Sequence, residues 1–238
     1  MARKLKDNLL YIQQLKALTK ISQAITSDLY LEDILKLIVT VTAQIMNSKI
    51  CSLLILDKEK NELVVRATQS VSEAYNRKPN LKVGEGIAGR VAQTGEPIVV
   101  PDVRKDPRYI NQKIAKEEGL CSLLSVPLKV KGRIIGILNV YTASPYSFSK
   151  EEIDILMAVA SQAAIVIENA RLIVESKVIR EELEARKLIE RAKGILMREC
   201  RISEEDAYRR IQKFAMDKRR TMREVAEAIL LNYEMRKK

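Results

Sequence analysis

The stretch LIERAKGILMRECRISEEDAYRRIQKFAMDKRRTMREVAEAILL, residues 188–231, reads as three short helices separated by two tight breaks. Ile189, Ala192, Ile195 and Leu196 fall at three- and four-residue spacings and give the first helix one apolar stripe. That helix stops near Glu199-Cys200-Arg201. Ser203 is then placed as an N-cap, with Glu204, Glu205 and Asp206 in the first turn, where the helix dipole favours negative charge. Ala207, Ile211, Phe214 and Ala215 form the second stripe, and Lys218-Arg219-Arg220 the second break. Thr221 with Glu224 is a capping box opening a third helix on Val225, Ala226, Ile229 and Leu230. Three amphipathic helices of this length can close one small core.

Two features go beyond the needs of a small bundle. Gly194 lies inside a strong helical pattern, where glycine costs about 1 kcal/mol relative to alanine. Its missing side chain suggests close approach by another helix or by a ligand backbone. Arg186 and Lys193, seven apart, project from one side of the first helix. The basic run at 218–220 falls in a loop, free to reach phosphate. A solvated basic face with a packing glycine is the plain alternative.

The segments IERAKGILM, SEEDAY and AMDKRRTMREVAEAI together resemble the ANTAR domain, a three-helix RNA-binding module of bacterial transcription antiterminators. The resemblance implies binding to RNA with two adjacent stem-loops, whose stabilisation keeps a downstream terminator hairpin from forming. It marks Arg186, Arg191, Lys193, Arg219 and Arg220 as RNA contacts, with Ala192 and Gly194 allowing close approach. Tyr208 is expected in the core, with stacking on a base as the alternative. At Glu199-Cys200-Arg201, where family members often carry glycine, only a changed turn is expected.

The whole chain suits an anionic partner. Its 238 residues carry a formal charge of +11, which favours nucleic acid without choosing RNA over DNA. No uninterrupted apolar run reaches the roughly 18 residues of a spanning helix, so no membrane partner is expected. The start, MARKLKDNLLYIQQ, lacks an apolar signal core, and Cys51, Cys121 and Cys200 are scattered without a C-x-x-C. Both observations point to a reducing cytoplasm. With no histidine, the chain is without phosphorelay histidines, histidine-ligated metals and every Ser-His or Cys-His triad. No catalytic residue and no metal site are expected.

From the start, Leu5, Leu9, Ile12, Leu15, Leu18, Ile21 and Ile25 recur at helical spacing, predicting an N-terminal helix within residues 1–30 that covers a sheet or pairs with its copy. A second helix runs through Ile34, Leu35, Ile38, Val41 and Ile45. ICSLLILD (50–57) and ELVVRAT (62–68) are β-branched runs joined by a hairpin turn, and residues 70–96 are loop with one short helix. Gly84-Glu85-Gly86-Ile87-Ala88-Gly89 lacks the strand and spacing of a dinucleotide fingerprint, and no P-loop lysine comes after it. PIVVPD, then CSLLSVPLKV (121–130) and IIGILNVYT (134–142) with a glycine turn, supply further strands. Ser149 with Glu152 caps a long helix.

VGEGIAGRVAQTGEPIVVPDV and the VPL…GRIIGILNVY hairpin resemble the GAF domain, a small sensory α+β fold, over residues 12–172. The resemblance implies a central antiparallel sheet, terminal helices on one face and a pocket on the other. That pocket is open to a small-molecule ligand of unknown identity, with Ile87, Val91 and Asp102 as candidate lining residues. No cysteine falls in 84–109, where the methionine-sulfoxide-reductase branch carries its catalytic thiols, and Cys51 and Cys121 are expected to be buried packing residues.

Ile153, Met157, Ala160, Ala164, Ile167, Arg171, Val174 and Val178 form a heptad-like stripe, and no proline or glycine lies between Ser147 and Lys193. The fold expected is therefore α+β. A GAF-type antiparallel sheet with flanking helices leads through a coiled-coil linker (173–187) into an all-α three-helix ANTAR bundle (183–235). The function expected is a non-enzymatic, signal-responsive antitermination regulator, homodimeric through its coiled coil, that binds paired stem-loops. A DNA-binding transcription factor with a GAF sensor, and a GAF-fold redox enzyme, are the alternatives.

Overall fold

The computed structural model describes residues 31–70, 72, 75 and 78–236, so the N-terminal helix expected within residues 1–30 lies outside the described residues. The chain divides into two compact units, residues 1–171 and 172–238.

In the first unit, α1 (Leu31–Ile45) precedes the hairpin of β1 (Ile50–Asp57) and β2 (Glu62–Thr68). The short strand β3 (Leu81–Lys82) comes next, then α2 (Gly86–Thr94), β4 (Ile98–Val100), α3 (Gln112–Glu117), β5 (Leu123–Val130) and β6 (Arg133–Tyr141). The six strands form one antiparallel sheet in the order β3-β2-β1-β6-β5-β4. Turn chemistry sets the two hairpins. Asp57 Oδ1 accepts the amides of Glu59 and Lys60 at 3.0 and 3.1 Å, and Lys131 and Gly132 both take positive φ, as a tight two-residue turn requires.

Side-chain alternation sorts the sheet residues between two layers. Cys51, Leu53, Leu124, Val126, Leu128, Leu138 and Val140 face α1 and the first turns of α4 (Lys150–Cys200), where they meet Ile34, Ile38, Leu156, Ala160 and Ala164. Ile50, Leu54, Leu123, Ile137 and Tyr141 face the opposite layer, built from α2, α3 and their loops. Both faces are covered, which is why β1 reads as a nearly continuous apolar run. Cys51 and Cys121 are buried and unpaired, and burial raises the Cys51 thiol pKa far above its usual value.

The glycine-rich stretch is an entry to α2. A Cβ at Gly89 would lie 2.3 Å from the carbonyl oxygen of Lys82, so this glycine lets the helix start against the β3 backbone. Two-residue β3 has too little pattern to be seen in the sequence.

The Ser149–Glu152 capping box starts α4: the Ser149 amide donates to Glu152 Oε2 at 2.8 Å and the Glu152 amide to Ser149 Oγ at 3.2 Å. The helix contains an 18-residue window of mean hydropathy 1.5, long and apolar enough to cross a membrane by length and composition, although no uninterrupted apolar run of that length exists. Of that window 39% is buried, and Leu156, Ala160, Ala164 and Ile167 of the same helix pack in the sheet core. Beyond Arg171 the surroundings change. Leu172, Ile173, Val174, Val178, Ile179 and Leu183 are each about half exposed.

The second unit packs the C-terminal turns of α4 with α5 (Glu204–Lys218) and α6 (Met222–Arg236). Ala192, Ile211, Ala215, Val225 and Ala226 form its core, flanked by Leu188, Ile189, Leu196, Met222 and Ile229. The alanines keep the three helices close. Ser203 Oγ accepts the Asp206 amide at 3.1 Å, and Thr221 and Glu224 exchange the two bonds of a capping box at 2.8 and 3.2 Å. Arg201 and Arg219 terminate α4 and α5 in the left-handed region at φ 53° and 52°, where glycine is the usual occupant. Two stripe assignments shift. Phe214 is 53% exposed and Tyr208 42%, because both sit at the edges of the α5 stripe, while Ala207, Ile211 and Ala215 hold its centre.

Candidate nucleic-acid interface

Lys187, Arg191, Gly194 and Arg198 are spaced i, i+4, i+7 and i+11, so they share one face of α4. Lys187, Arg191 and Arg198 are exposed, and a Cβ built on Gly194 would meet nothing within 4 Å. Among the described residues, no helix of this unit fills the space above the glycine. Arg198 Nε donates to the Gly194 carbonyl at 3.1 Å, and its guanidinium lies 5.8 Å from the Tyr233 ring centroid, which fixes the head of this long side chain. Arg191 is only loosely tied, its guanidinium 3.8 Å from Glu234 in a well-solvated setting. The result is a cationic strip with a bare patch of backbone at its centre, suited to a closely approaching phosphate chain.

The sequence-derived residues do not all lie on this strip. Arg186 is exposed on the other side of α4. Lys193 shares that side and is 6% exposed; its ammonium donates to Glu204 at 2.8 Å and to Glu190 at 2.9 Å. The bond to Glu204, then that to Glu190, raises the Lys193 pKa above the usual lysine value, and the Lys193 bond lowers the Glu204 pKa. Lys193 thus pins α4 to the first turn of α5. Ala192 is fully buried beneath the strip. Arg219 and Arg220 are exposed at the α5–α6 turn; Arg220 is bonded to Glu224 at 3.0 Å, and Arg219 is oriented by its left-handed backbone. Lys187 and Arg198 were missed by the sequence reading, although their spacing from Arg191 carried the signal.

In the first unit, the layer opposite the helices closes around Tyr75, Tyr109 and Tyr141, whose rings meet edge to face at 6.3 and 6.4 Å. Beside them lies a cavity of about 20 Å³ lined by Lys78, Ile87, Tyr109, Asn139 and Tyr141, room for about one water. Ile87 therefore lines the cavity. Val91 packs in a separate cluster with Leu54 and Ile137, and Asp102 is held by two 2.8 Å bonds from Arg104, which bring its carboxyl down to about 2. Lys78 Nζ sits 3.8 Å from the Tyr75 ring centroid, and burial lowers its pKa to about 8. The buried Oδ1 of Asn139 has no hydrogen-bond partner among the described residues. Among these residues, no group of three or more Cys, Asp or Glu side chains is placed to hold a metal ion.

An antiparallel sheet layered with helices and enclosing a small polar-lined cavity, joined to a capped three-helix unit with a cationic strip, is the make-up of a sensory domain coupled to a regulatory module. The chain belongs to the GAF family, whose domain model matches residues 29–168, and it carries an ANTAR domain over residues 177–230. It is 40% identical over 90 residues to the transcriptional regulatory protein PdtaR of Mycobacterium tuberculosis, covering 38% of this chain and 42% of that protein. It is 26% identical over 157 residues to the methyl sulfide methyltransferase-associated sensor of Methanosarcina acetivorans, covering 64% of this chain and 16% of that protein. The chain spans less than half the length of either relative. The solved GAF domain of a phosphoenolpyruvate-protein phosphotransferase from Coxiella burnetii superposes with a TM-score of 0.60 at 32% identity, covering 68% of this chain and 96% of that one.

Proposed function

We propose that the protein is a non-enzymatic regulator that binds two adjacent stem-loops in nascent RNA and keeps a terminator hairpin from forming. The observation that carries this reading is the open Gly194 patch between Arg191 and Arg198 on an ANTAR helix. Lys187, Arg191 and Arg198 contact phosphates along the strip, Arg219 and Arg220 from the α5–α6 turn and Arg186 from the other side of α4; Gly194 admits the RNA backbone, and Lys193 and Ala192 set the helix spacing from inside. The match to a mycobacterial transcriptional regulator supports a regulatory role. Phosphate contacts predict a steep fall of affinity with salt. Arg191→Ala with Arg198→Ala should weaken RNA binding and flatten the log–log salt slope by about one for each lost contact. An unchanged slope would move the RNA site elsewhere.

The protein acts as a homodimer through the helix beyond Arg171. Six half-exposed aliphatic side chains between Leu172 and Leu183 have no sheet to cover and suit a partner helix. Each protomer then brings one ANTAR module to one stem-loop, and linkage of the two raises avidity. Sedimentation showing a monomer at high concentration, with and without RNA, would contradict this. The input is a small molecule at the cavity beside Ile87, which at about one water's volume has to widen to admit it. Its signal travels along α4. One residue inserted near Lys177 turns the C-terminal part of that helix by about 100° and should uncouple the signal from RNA binding. The protein works in the cytoplasm.

A further inference from the structure

On the second unit, an open groove of about 440 Å³ lies between α4, α5 and α6. Its floor is Ile195, Ile211 and Ile229, and its walls are the rings of Phe214 and Tyr233. Phe214 is 53% exposed, an unusual state for a phenylalanine flanking a core stripe. The rim is cationic. Arg198 lies over the Tyr233 ring and also belongs to the strip around Gly194. Arg210 lines the groove with its guanidinium 3.3 Å from Cys200 Sγ, and Arg236 faces the one rim carboxylate, Glu199, at 3.8 Å. Asn232 adds a side chain able both to donate and to accept hydrogen bonds.

We infer that this groove receives an unpaired nucleobase from an RNA loop whose phosphates run along the adjacent strip. This rests on the RNA-binding reading above and adds to it the place where a base is read. A groove of this size falls within the range of small-molecule sites. Aromatic walls stack on any base face, and arginine planes extend the stack. Two further points select a base over an apolar peptide. Two arginines against one carboxylate in the lining, with Arg198 beside them over the Tyr233 ring, complement a polyanion, and Arg198 joins groove and strip, so one nucleotide can place its phosphate on the strip and its base against Tyr233. Arg198 is then a bridging contact shared by both parts of the site.

The chain has no tryptophan, so Phe214→Trp installs a single fluorophore in the groove wall. The probe is a two-stem-loop RNA selected for binding from a pool with randomised loops. Expected are saturable quenching of the introduced indole by this RNA, a loss of about tenfold or more in affinity for Phe214→Ser, recovery in Phe214→Tyr, and an unchanged salt slope in all three, since no phosphate contact is removed. Circular dichroism of Phe214→Ser checks that the helices persist. If wild type binds the RNA tightly but the indole of Phe214→Trp is unquenched and Phe214→Ser binds equally well, the groove is not the base site, while the RNA-binding reading stands. If wild type shows no loop-dependent RNA binding, both fall. If Phe214→Ser instead shifts the RNA-free protein toward monomer in sedimentation, the groove is an interface between copies and the inference is overturned.

Discussion

Replacing Gly194 separates a packing glycine from one kept for a ligand. The residue lies in the interior of α4, and a Cβ there would touch nothing within 4 Å. Gly194→Ala therefore brings no clash and removes the entropic penalty of glycine in a helix, a gain of about 1 kcal/mol. If the second unit unfolds cooperatively, a domain of its size shifts its midpoint by roughly 4–8 °C for that change. Gly194→Leu has nearly the same helix propensity and should be about as stable, but its side chain would stand between Arg191 and Arg198 on the strip. RNA affinity should then drop more than tenfold, about 1.4 kcal/mol. Far-UV circular dichroism during thermal and urea unfolding reads the first effect and fluorescence anisotropy the second. A Gly194→Ala protein less stable than wild type would mean that something packs on the glycine. A Gly194→Leu protein that binds RNA as wild type does would remove the strip from the interface.

Further substitutions test the local reasoning. Ser203→Ala deletes the side-chain cap of α5 and should cost about 1 kcal/mol, read as a lower urea midpoint with unchanged slope. Arg201→Gly relieves a left-handed arginine and should stabilise by about 1 kcal/mol; a loss of stability would show that the side chain contributes more than its backbone costs. Glu204 has a depressed pKa in the folded state, so its share of stability is present above its ordinary titration range and disappears as pH falls through that range and below. The raised pKa of Lys193 acts in the opposite sense, with stability lost only as pH rises past the usual lysine range. Acid unfolding monitored between about pH 6 and 2 should therefore be less steep in Lys193→Met, and an identical pH profile would show that the ion pair contributes nothing.

What the sequence revealed was local or periodic. Ser149, Ser203 and Thr221 were readable as caps because each bonds within three residues of itself, whatever the rest of the fold does. β1, β5 and β6 were readable because both faces of the sheet are covered, leaving long, nearly continuous apolar runs. Lys193 was misleading for the opposite reason: its partner Glu204 lies on the next helix, and only the packing of α4 on α5 turns an apparently free lysine inward. Tyr208 and Phe214 lie at the margins of a helical stripe, where one step of rotation decides burial. Lys187 and Arg198 stood at readable spacings from Arg191, yet the pair 186 and 193 has an equally good seven-residue spacing on the other side of the helix.

The most direct measurement is fluorescence anisotropy with an RNA carrying two adjacent stem-loops, at two salt concentrations. One stem-loop alone, the same RNA with scrambled loops, and duplex DNA of equal length serve as comparisons. Tight binding that needs both loops and weakens strongly with salt is the expected result. Equal, salt-sensitive binding to all four would contradict the central claim and reduce the basic strip to an electrostatic patch.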